Sequence, residues 1–171
     1  TLRGRDKRPW ELCTNLSQTA WGWTPDAANR MMSLDSCIRL LVSVVCQNGN
    51  LLLNVGPKAD GEIEPAQVKR LKEIGDFLSK NGESIYGTKG GVWDATWGGT
   101  TITEKAIYVH VLQVPADGKI TLPAVSTKIA SAKYLGTNVK VPFRQSDNEI
   151  VLSGIVNKEK KTDVIVKLNL K

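Results

Sequence analysis

The feature that most constrains the fold is a short apolar run at residues 50–57, which stands between two amphipathic helical patterns. The run, Asn-Leu-Leu-Leu-Asn-Val-Gly-Pro, shows no polar alternation, which is typical of a strand buried on both faces of a parallel sheet. We identify no partner strand for it in residues 1–87. Because each unpaired buried backbone group costs about 1–3 kcal/mol, the sequence predicts that residues outside this chain complete the sheet, either within one larger domain or from another chain.

The flanking helices have recognisable boundaries. Apolar residues recur at helical spacing over residues 34–45, and Ser33 is a suitable N-cap. A second helix is predicted to begin at Pro65, since proline is favoured in the first turn, and to continue to residue 81. Residues 1–32 carry no such periodicity, and we expect them to be mostly loop.

From residue 88 onward the pattern changes to short alternating or β-branched segments separated by turn residues. Glycine pairs at 90–91 and 98–99 indicate a linker that precedes them. The predicted strands are residues 106–114, 119–122, 128–134, 139–143, 149–152 and 163–170. Short strands at this spacing are typical of an antiparallel sandwich. The sequence therefore predicts two units, residues 1–87 and residues 88–171.

Charge and composition exclude several functions. The net charge is +6, but the basic residues are spread singly and accompany no nucleic-acid-binding motif, so we expect no nucleic-acid partner. No apolar stretch is long enough for a transmembrane helix, so we expect no membrane partner, and the basic residues 1–8 lack the apolar core of a signal peptide. A single histidine and three scattered cysteines do not match a metal-site spacing, so we expect no metal and no other cofactor.

Four segments, in order and closely spaced, resemble the α-L-fucosidases, family 29 of the glycoside hydrolases. They are Trp-Glu-Leu-Cys-Thr at residues 10–14, Trp-Gly-Trp at 21–23, the apolar run with its turn at 48–61, and residues 71–87. The resemblance covers about residues 8–88, and the remainder matches only in architecture. It implies an α/β fold in which residues 1–87 are the C-terminal portion of a (β/α) TIM-like barrel, followed by an antiparallel β-sandwich domain at residues 88–171.

The resemblance also implies an activity. Such a protein is a retaining exo-α-L-fucosidase that hydrolyses terminal α-L-fucosyl linkages in a fucosylated oligosaccharide or glycoconjugate, in an extracytoplasmic location. Retention needs two carboxyl groups about 5–5.5 Å apart. The resemblance implies that the nucleophile is an aspartate on an earlier barrel strand. We therefore expect this chain to be inactive without the remainder of the barrel. The sequence leaves open whether the protein forms a homo-oligomer.

Four residues are candidates for the site. Glu11 follows Trp10, where an aromatic wall could raise the pKa of a general acid/base; the alternative is a carboxylate that bonds backbone or arginine groups around the site. Trp10 is also a candidate for substrate contact. In the family, the aromatic residue matching Trp21 packs against fucose near its C6 methyl; the alternative for Trp21 is core packing, which we expect for Trp23. Asn54, at the carboxyl end of the predicted strand, is expected to orient a catalytic loop or, alternatively, to cap the strand end and bond backbone.

Two other functions fit the second unit. It could be a non-catalytic carbohydrate-binding module, which predicts glycan binding by residues 88–171 alone, or a structural domain that braces the barrel. The predicted strands after residue 99 contain no tryptophan and few other aromatic residues. This composition favours bracing.

Overall fold

The computed structural model describes residues 10–171, so the basic residues 1–8 lie outside the described range. The first unit consists of β1 (Trp10–Asn15), α1 (Leu34–Cys46), β2 (Gly49–Asn54) and α2 (Pro65–Asn81), followed by a 3-10 turn at Gly82–Ser84. The second unit consists of β3 (Lys89–Asp94), β4 (Gly98–Ile102), β5 (Ala106–Val111), β6 (Ile120–Pro123), β7 (Ile129–Tyr134), β8 (Phe143–Gln145), β9 (Glu149–Leu152) and β10 (Val164–Leu170).

The predicted apolar strand has a partner within the chain, contrary to our expectation. β1 pairs with β2 in parallel over its whole length, from Trp10 opposite Gly49 to Asn15 opposite Asn54. The interpretation of this segment as loop was wrong because polar or small side chains occupy its alternate positions, which hides the strand in the sequence. The sheet is nevertheless small: within residues 10–171, no third strand pairs with β1 or β2.

Both predicted helices are confirmed, and both pack on one face of the parallel pair. Ser33 caps α1, its Oγ accepting a hydrogen bond from the Ser36 N–H at 3.0 Å, and α2 begins at Pro65. One apolar cluster joins the pair to the two helices; its side chains include Leu53 of β2, Cys37 and Leu40 of α1, and Leu71 and Ile74 of α2.

The opposite face of the parallel pair is open. Side chains alternate across a strand, so Glu11 and Cys13 of β1 and Asn50 and Leu52 of β2 point away from the side that bears Leu53, and all four are exposed. Leu52 is 50% exposed. The prediction of a strand buried on both faces therefore holds for one face only within residues 10–171.

The second unit consists of two antiparallel sheets around a shared core. Their strand orders are β3-β4-β5-β10-β7 and β6-β9-β8. The core includes the fully buried residues Val109, Val166 and Leu168 of the first sheet and Ile150 and Leu152 of the second. The predicted antiparallel strands are thus confirmed, except that the one predicted at 139–143 begins only at its last residue and runs over Phe143–Gln145.

The prediction of a linker at the glycine-rich stretch, residues 90–99, is wrong. This stretch contributes β3 and β4. Glycine is needed there because the strands lie against the end of α1. A Cβ at Gly99 would be 2.8 Å from the Cβ of Cys46, and one at Gly90 would collide with the backbone of Asn48. The two units are therefore in direct contact.

A buried polar cluster also joins the two units. His110 Nδ1 lies 2.7 Å from Asp163 Oδ2, while its Nε2 lies 3.3 Å from the carbonyl oxygen of Ser84. The Thr101 hydroxyl donates to the same carbonyl at 2.6 Å. Because buried polar groups need hydrogen-bond partners, this cluster fixes the segment after α2 to the sandwich.

Candidate functional site

The carboxyl ends of β1 and β2 lie side by side, and the loops that follow them form the candidate site. The backbone N–H of Leu16 donates to the carbonyl of Asn54 at 2.9 Å, which extends the pairing by one residue. Asn15 then turns the chain, its Oδ1 accepting from the Ser17 N–H at 3.2 Å. In parallel α/β sheets, ligands bind outside this end of the strands.

Two of the four predicted site residues, Asn54 and Trp21, meet here. The Nδ2 of Asn54 donates to the carbonyl oxygen of Trp21 at 2.8 Å. The next peptide group lies directly over Gly56, where a Cβ would be 2.6 Å from the carbonyl carbon of Gly22 and 2.7 Å from the nitrogen of Trp23. The backbone of this loop is thus held closely, while the side chain of Trp21 is 60% exposed.

The other two predicted site residues, Trp10 and Glu11, lie at the opposite end of β1. The Trp10 ring packs on Gly49, and its Nε1 donates to the carbonyl of Gln47 at 2.9 Å. Glu11 is exposed and stands opposite Asn50. At about 3.3 Å per residue, Glu11 is roughly 13 Å along the strand from Asn15. The fold therefore does not bring Glu11 or Trp10 to the loop that carries Trp21.

We expected Trp23 to pack in the core, but its side chain is 40% exposed. Its Nε1 donates to Glu64 Oε1 at 2.8 Å, and Lys58 Nζ lies 3.5 Å from the same oxygen. Sequence reasoning missed Glu64 and Lys58 because no motif links them to Trp23, which is 41 residues from Glu64 in sequence. The available signal was Pro65, since the residue before a first-turn proline stands at a helix start.

Gln67 of α2 contacts the loop that follows β2. It is fully buried in the first turn of α2, and its Oε1 accepts from the N–H of Gly56 at 3.4 Å. Among the described residues its Nε2 has no hydrogen-bond partner. Sequence analysis gave no indication of this role, because a polar residue inside an amphipathic helix is usually interpreted as solvent-facing.

The cluster combines an exposed aromatic surface with amide, carboxylate and ammonium groups at its rim. Such a surface suits a ligand that has an apolar patch and hydroxyl groups. Across residues 10–171, no three His, Cys, Asp or Glu side chains come together as metal ligands. No helix in that range combines the length and hydropathy needed to cross a bilayer.

Comparison with known proteins adds to this geometry. The α-L-fucosidase family model matches residues 2–83. Tissue α-L-fucosidase of Homo sapiens is 36% identical over 135 residues, which are 74% of this chain and 28% of that protein. The α-L-fucosidase of Branchiostoma floridae is 35% identical over 123 residues, which are 68% of this chain and 27% of that protein. The structure of α-L-fucosidase isoenzyme 1 from Paenibacillus thiaminolyticus matches with a TM-score of 0.80 and 27% identity, covering 95% of this chain and 40% of that one.

The family model and these relatives give the class, that of the glycoside hydrolases. Within that class, the chain belongs to the α-L-fucosidase family, whose C-terminal part it matches. The resemblance drawn from the four sequence segments is thereby confirmed. The chain spans 28% and 27% of the lengths of the human and Branchiostoma relatives.

Proposed function

We propose that the chain supplies the C-terminal part of a retaining exo-α-L-fucosidase, which hydrolyses terminal α-L-fucosyl linkages in glycans. Residues 1–87 contribute strands and helices to a (β/α) barrel, and residues 88–171 are a sandwich domain that follows it. The observation that carries the proposal is the exposed Trp21, held at the carboxyl ends of two parallel strands in a chain whose relatives are fucosidases.

The one-sided packing of β1 and β2 supports the barrel. In a (β/α) barrel, helices cover the outside of the strands and alternate side chains point inward. The helices cover the face of Leu53, whereas Cys13 and Leu52 on the other face are exposed. We propose that this open face is the barrel interior and that strands from residues outside this chain pair with the free edges of β1 and β2.

We assign two residues to the sugar site. The indole of Trp21 provides a flat apolar surface for the edge of fucose that carries its C6 methyl group, at a small cost in side-chain entropy. Asn54 orients the loop through its hydrogen bond to the Trp21 carbonyl. This contact fits both roles expected for the residue, because its side chain bonds backbone at the strand end and that backbone belongs to the loop.

The contacts of Trp10 and Glu11 support other roles. Trp10 is engaged by Gly49 and Gln47 and stabilises the start of the sheet. For Glu11 we propose the second of its two expected roles, a carboxylate of the barrel interior that bonds groups from the missing strands. The nucleophile and the acid/base, which must lie about 5–5.5 Å apart for retention, then both come from residues outside this chain.

For the sandwich we propose a bracing role. Its His110–Asp163 pair and Thr101 fix the segment that follows α2. A carbohydrate-binding module would instead present aromatic side chains on its surface, and Tyr108 is only 4% exposed. We propose an extracytoplasmic location as well, and the match to plasma α-L-fucosidase of Homo sapiens, 31% identical, supports it.

Hydrolysis of an aryl α-L-fucoside tests the proposed activity. The full-length protein is expected to release the aryl group, whereas purified residues 1–171 are expected to release none. In the full-length protein, Trp21→Ala should raise KM about tenfold through loss of aromatic contact, while Asn29→Ala, an exposed change in the same loop, should not. Turnover by residues 1–171 alone would contradict the absence of the nucleophile, and an inactive full-length protein would contradict the activity itself.

A further inference from the structure

The loop that carries Trp21 is held by a side-chain hydrogen bond in addition to its backbone contacts. Trp23, two residues further on, directs its Nε1–H to Glu64 Oε1 at 2.8 Å although its side chain is 40% exposed. This bond spans the two strand-end loops, because Trp23 follows β1 and Glu64 follows β2. An exposed tryptophan held at its polar atom loses rotamer freedom, so the bond fixes an orientation that solvent would otherwise leave free.

Glu64 is well placed to act as a fixed acceptor. It is the residue immediately before α2, and its side chain makes no capping hydrogen bond to the helix. Lys58 Nζ lies 3.5 Å from the same Oε1, which provides a second, charged contact to this oxygen. A hydrogen bond to an ionised carboxylate is about twice as strong as one between neutral groups. The Glu64 carboxylate therefore bonds the loop that carries Trp23 and does not cap the helix.

The Trp23–Glu64 bond completes a three-point attachment. On one side of the loop, Asn54 Nδ2 holds the Trp21 carbonyl at 2.8 Å. In the middle, the Gly22–Trp23 peptide group rests against Gly56. The bond to Glu64 closes the other side. Because its own carbonyl and the two residues that follow it are held, Trp21 has its indole as its principal free part.

We propose that Glu64 and Trp23 are positioning residues for Trp21, which orient its indole towards the sugar; this proposal rests on the proposed fucosidase function. Lys58 supports the carboxylate of Glu64. None of the three needs to touch fucose. Their contribution is to ground-state binding of the sugar, because a correctly oriented aromatic surface contacts substrate and transition state alike.

A double-mutant cycle in the full-length protein tests the proposal. Trp23→Phe keeps an aromatic ring but removes the N–H, and Glu64→Ala removes the acceptor. Each is expected to raise KM for an aryl α-L-fucoside about three- to tenfold, with kcat changed less than about twofold. The double variant should be no worse than either single variant, because both break one bond. Glu64→Gln, which keeps the Oε1 acceptor, should restore most of the loss.

The matched control is Glu62→Gln, which removes a charge from the same loop at an exposed residue. A KM for Glu64→Ala equal to that of this control, or additive effects in the double variant, would overturn the positioning role. Hydrogen exchange separates this failure from a failure of the proposed function. The N–H of Ala27, which donates to the carbonyl of Thr24 at 3.0 Å, reports the loop directly after Trp23. Glu64→Ala should speed exchange of this amide relative to Glu62→Gln even if the full-length protein shows no fucosidase activity, and unchanged exchange would overturn the attachment.

Discussion

The sandwich and the helix-covered parallel pair differ in how completely each buries its own apolar surface. In the sandwich, fully buried residues from two sheets face each other, among them Leu152 and Leu168. In the parallel pair, Leu52 is 50% exposed, and the only buried residue of α2 is the polar Gln67. A sequence can thus encode correct local elements without supplying the surfaces that cover them. The sandwich covers its own apolar core, whereas the parallel pair leaves one face open within residues 10–171.

A pair of matched leucine substitutions should give the largest contrast between the two regions. In the 171-residue chain, Leu168→Ala is expected to lower the free energy of unfolding by about 2–5 kcal/mol, because it leaves a cavity in a packed core. Leu52→Ala should change it by no more than about 0.5 kcal/mol, as for an exposed site. Urea denaturation measures both.

The same two leucine substitutions, made in the full-length protein, test whether the open face of β2 is covered there. If β2 lies in a closed barrel there, Leu52→Ala should become costly, approaching the cost of a core position. A Leu52→Ala change that stays neutral in the full-length protein would contradict the view that other strands cover this face.

The buried contact between the regions should give the next largest effect. Asp163→Ala removes the acceptor of the His110 imidazole and should cost about 1–3 kcal/mol of unfolding free energy. Asp163→Asn, which retains a carbonyl oxygen for His110 Nδ1, should cost less, and the exposed Asp147→Ala should cost almost nothing. Equal stability of the Asp163→Ala and Asp147→Ala variants would show that the His110–Asp163 pair does not stabilise the buried cluster that contacts the Ser84 carbonyl.

A glycine substitution tests how tightly the site loops are seated on the parallel pair. Gly56→Ala places a methyl group against the Gly22 carbonyl carbon, and such overpacking should cost about 1–3 kcal/mol. Gly22→Ala is the matched control, since its Cβ meets nothing within 4 Å. Denaturation measures the cost, and faster exchange of the Ala27 amide, which donates to the carbonyl of Thr24 at 3.0 Å, in Gly56→Ala alone would locate it. Identical behaviour of the two variants would argue against close seating.

The smallest expected effect is a pH dependence at the surface contact between the regions. The hydrogen bond from Lys167 holds the pKa of Glu83 below its usual value, with the two groups 2.6 Å apart. A lowered folded-state pKa adds stability above the unfolded pKa, about 4.3 for glutamate, and this stability disappears as pH falls through the folded pKa. The exposed pair should contribute no more than about 1 kcal/mol.

Glu83→Gln tests this contact. The difference in unfolding free energy between wild type and variant should be present at neutral pH and should disappear as pH falls through the lowered folded-state pKa of Glu83. A difference that persists unchanged in acid would mean that Glu83 acts through packing rather than charge.

The elements that follow local rules could be predicted from the sequence. Ser33 marked the start of α1 and Pro65 the start of α2, since both signals depend on neighbouring residues only. β1 was missed because the side chains of its open face are polar or small and its pairing with β2 joins residues 39 apart, as Trp10 and Gly49. The family motifs predicted Trp21 and Asn54 as site residues, and the structure joins them by a hydrogen bond, while their role at a sugar site stays a prediction. Pro65 marks Glu64 as the start of a helix, but the contacts of Glu64 and Gln67 were not predictable, because only the folded chain brings these loops together.

The reactivity of Cys13 tests directly whether the open face of β1 and β2 is the interior of a barrel. Cys13 is exposed on the open face of β1, whereas Cys37 and Cys46 are buried and serve as internal controls. Maleimide labelling, mapped by peptide mass, should modify Cys13 rapidly in the 171-residue chain but no faster than Cys37 and Cys46 in the native full-length protein. Rapid labelling of Cys13 in the full-length protein, with the two buried cysteines still protected, would contradict the claim that this face is the interior of a barrel.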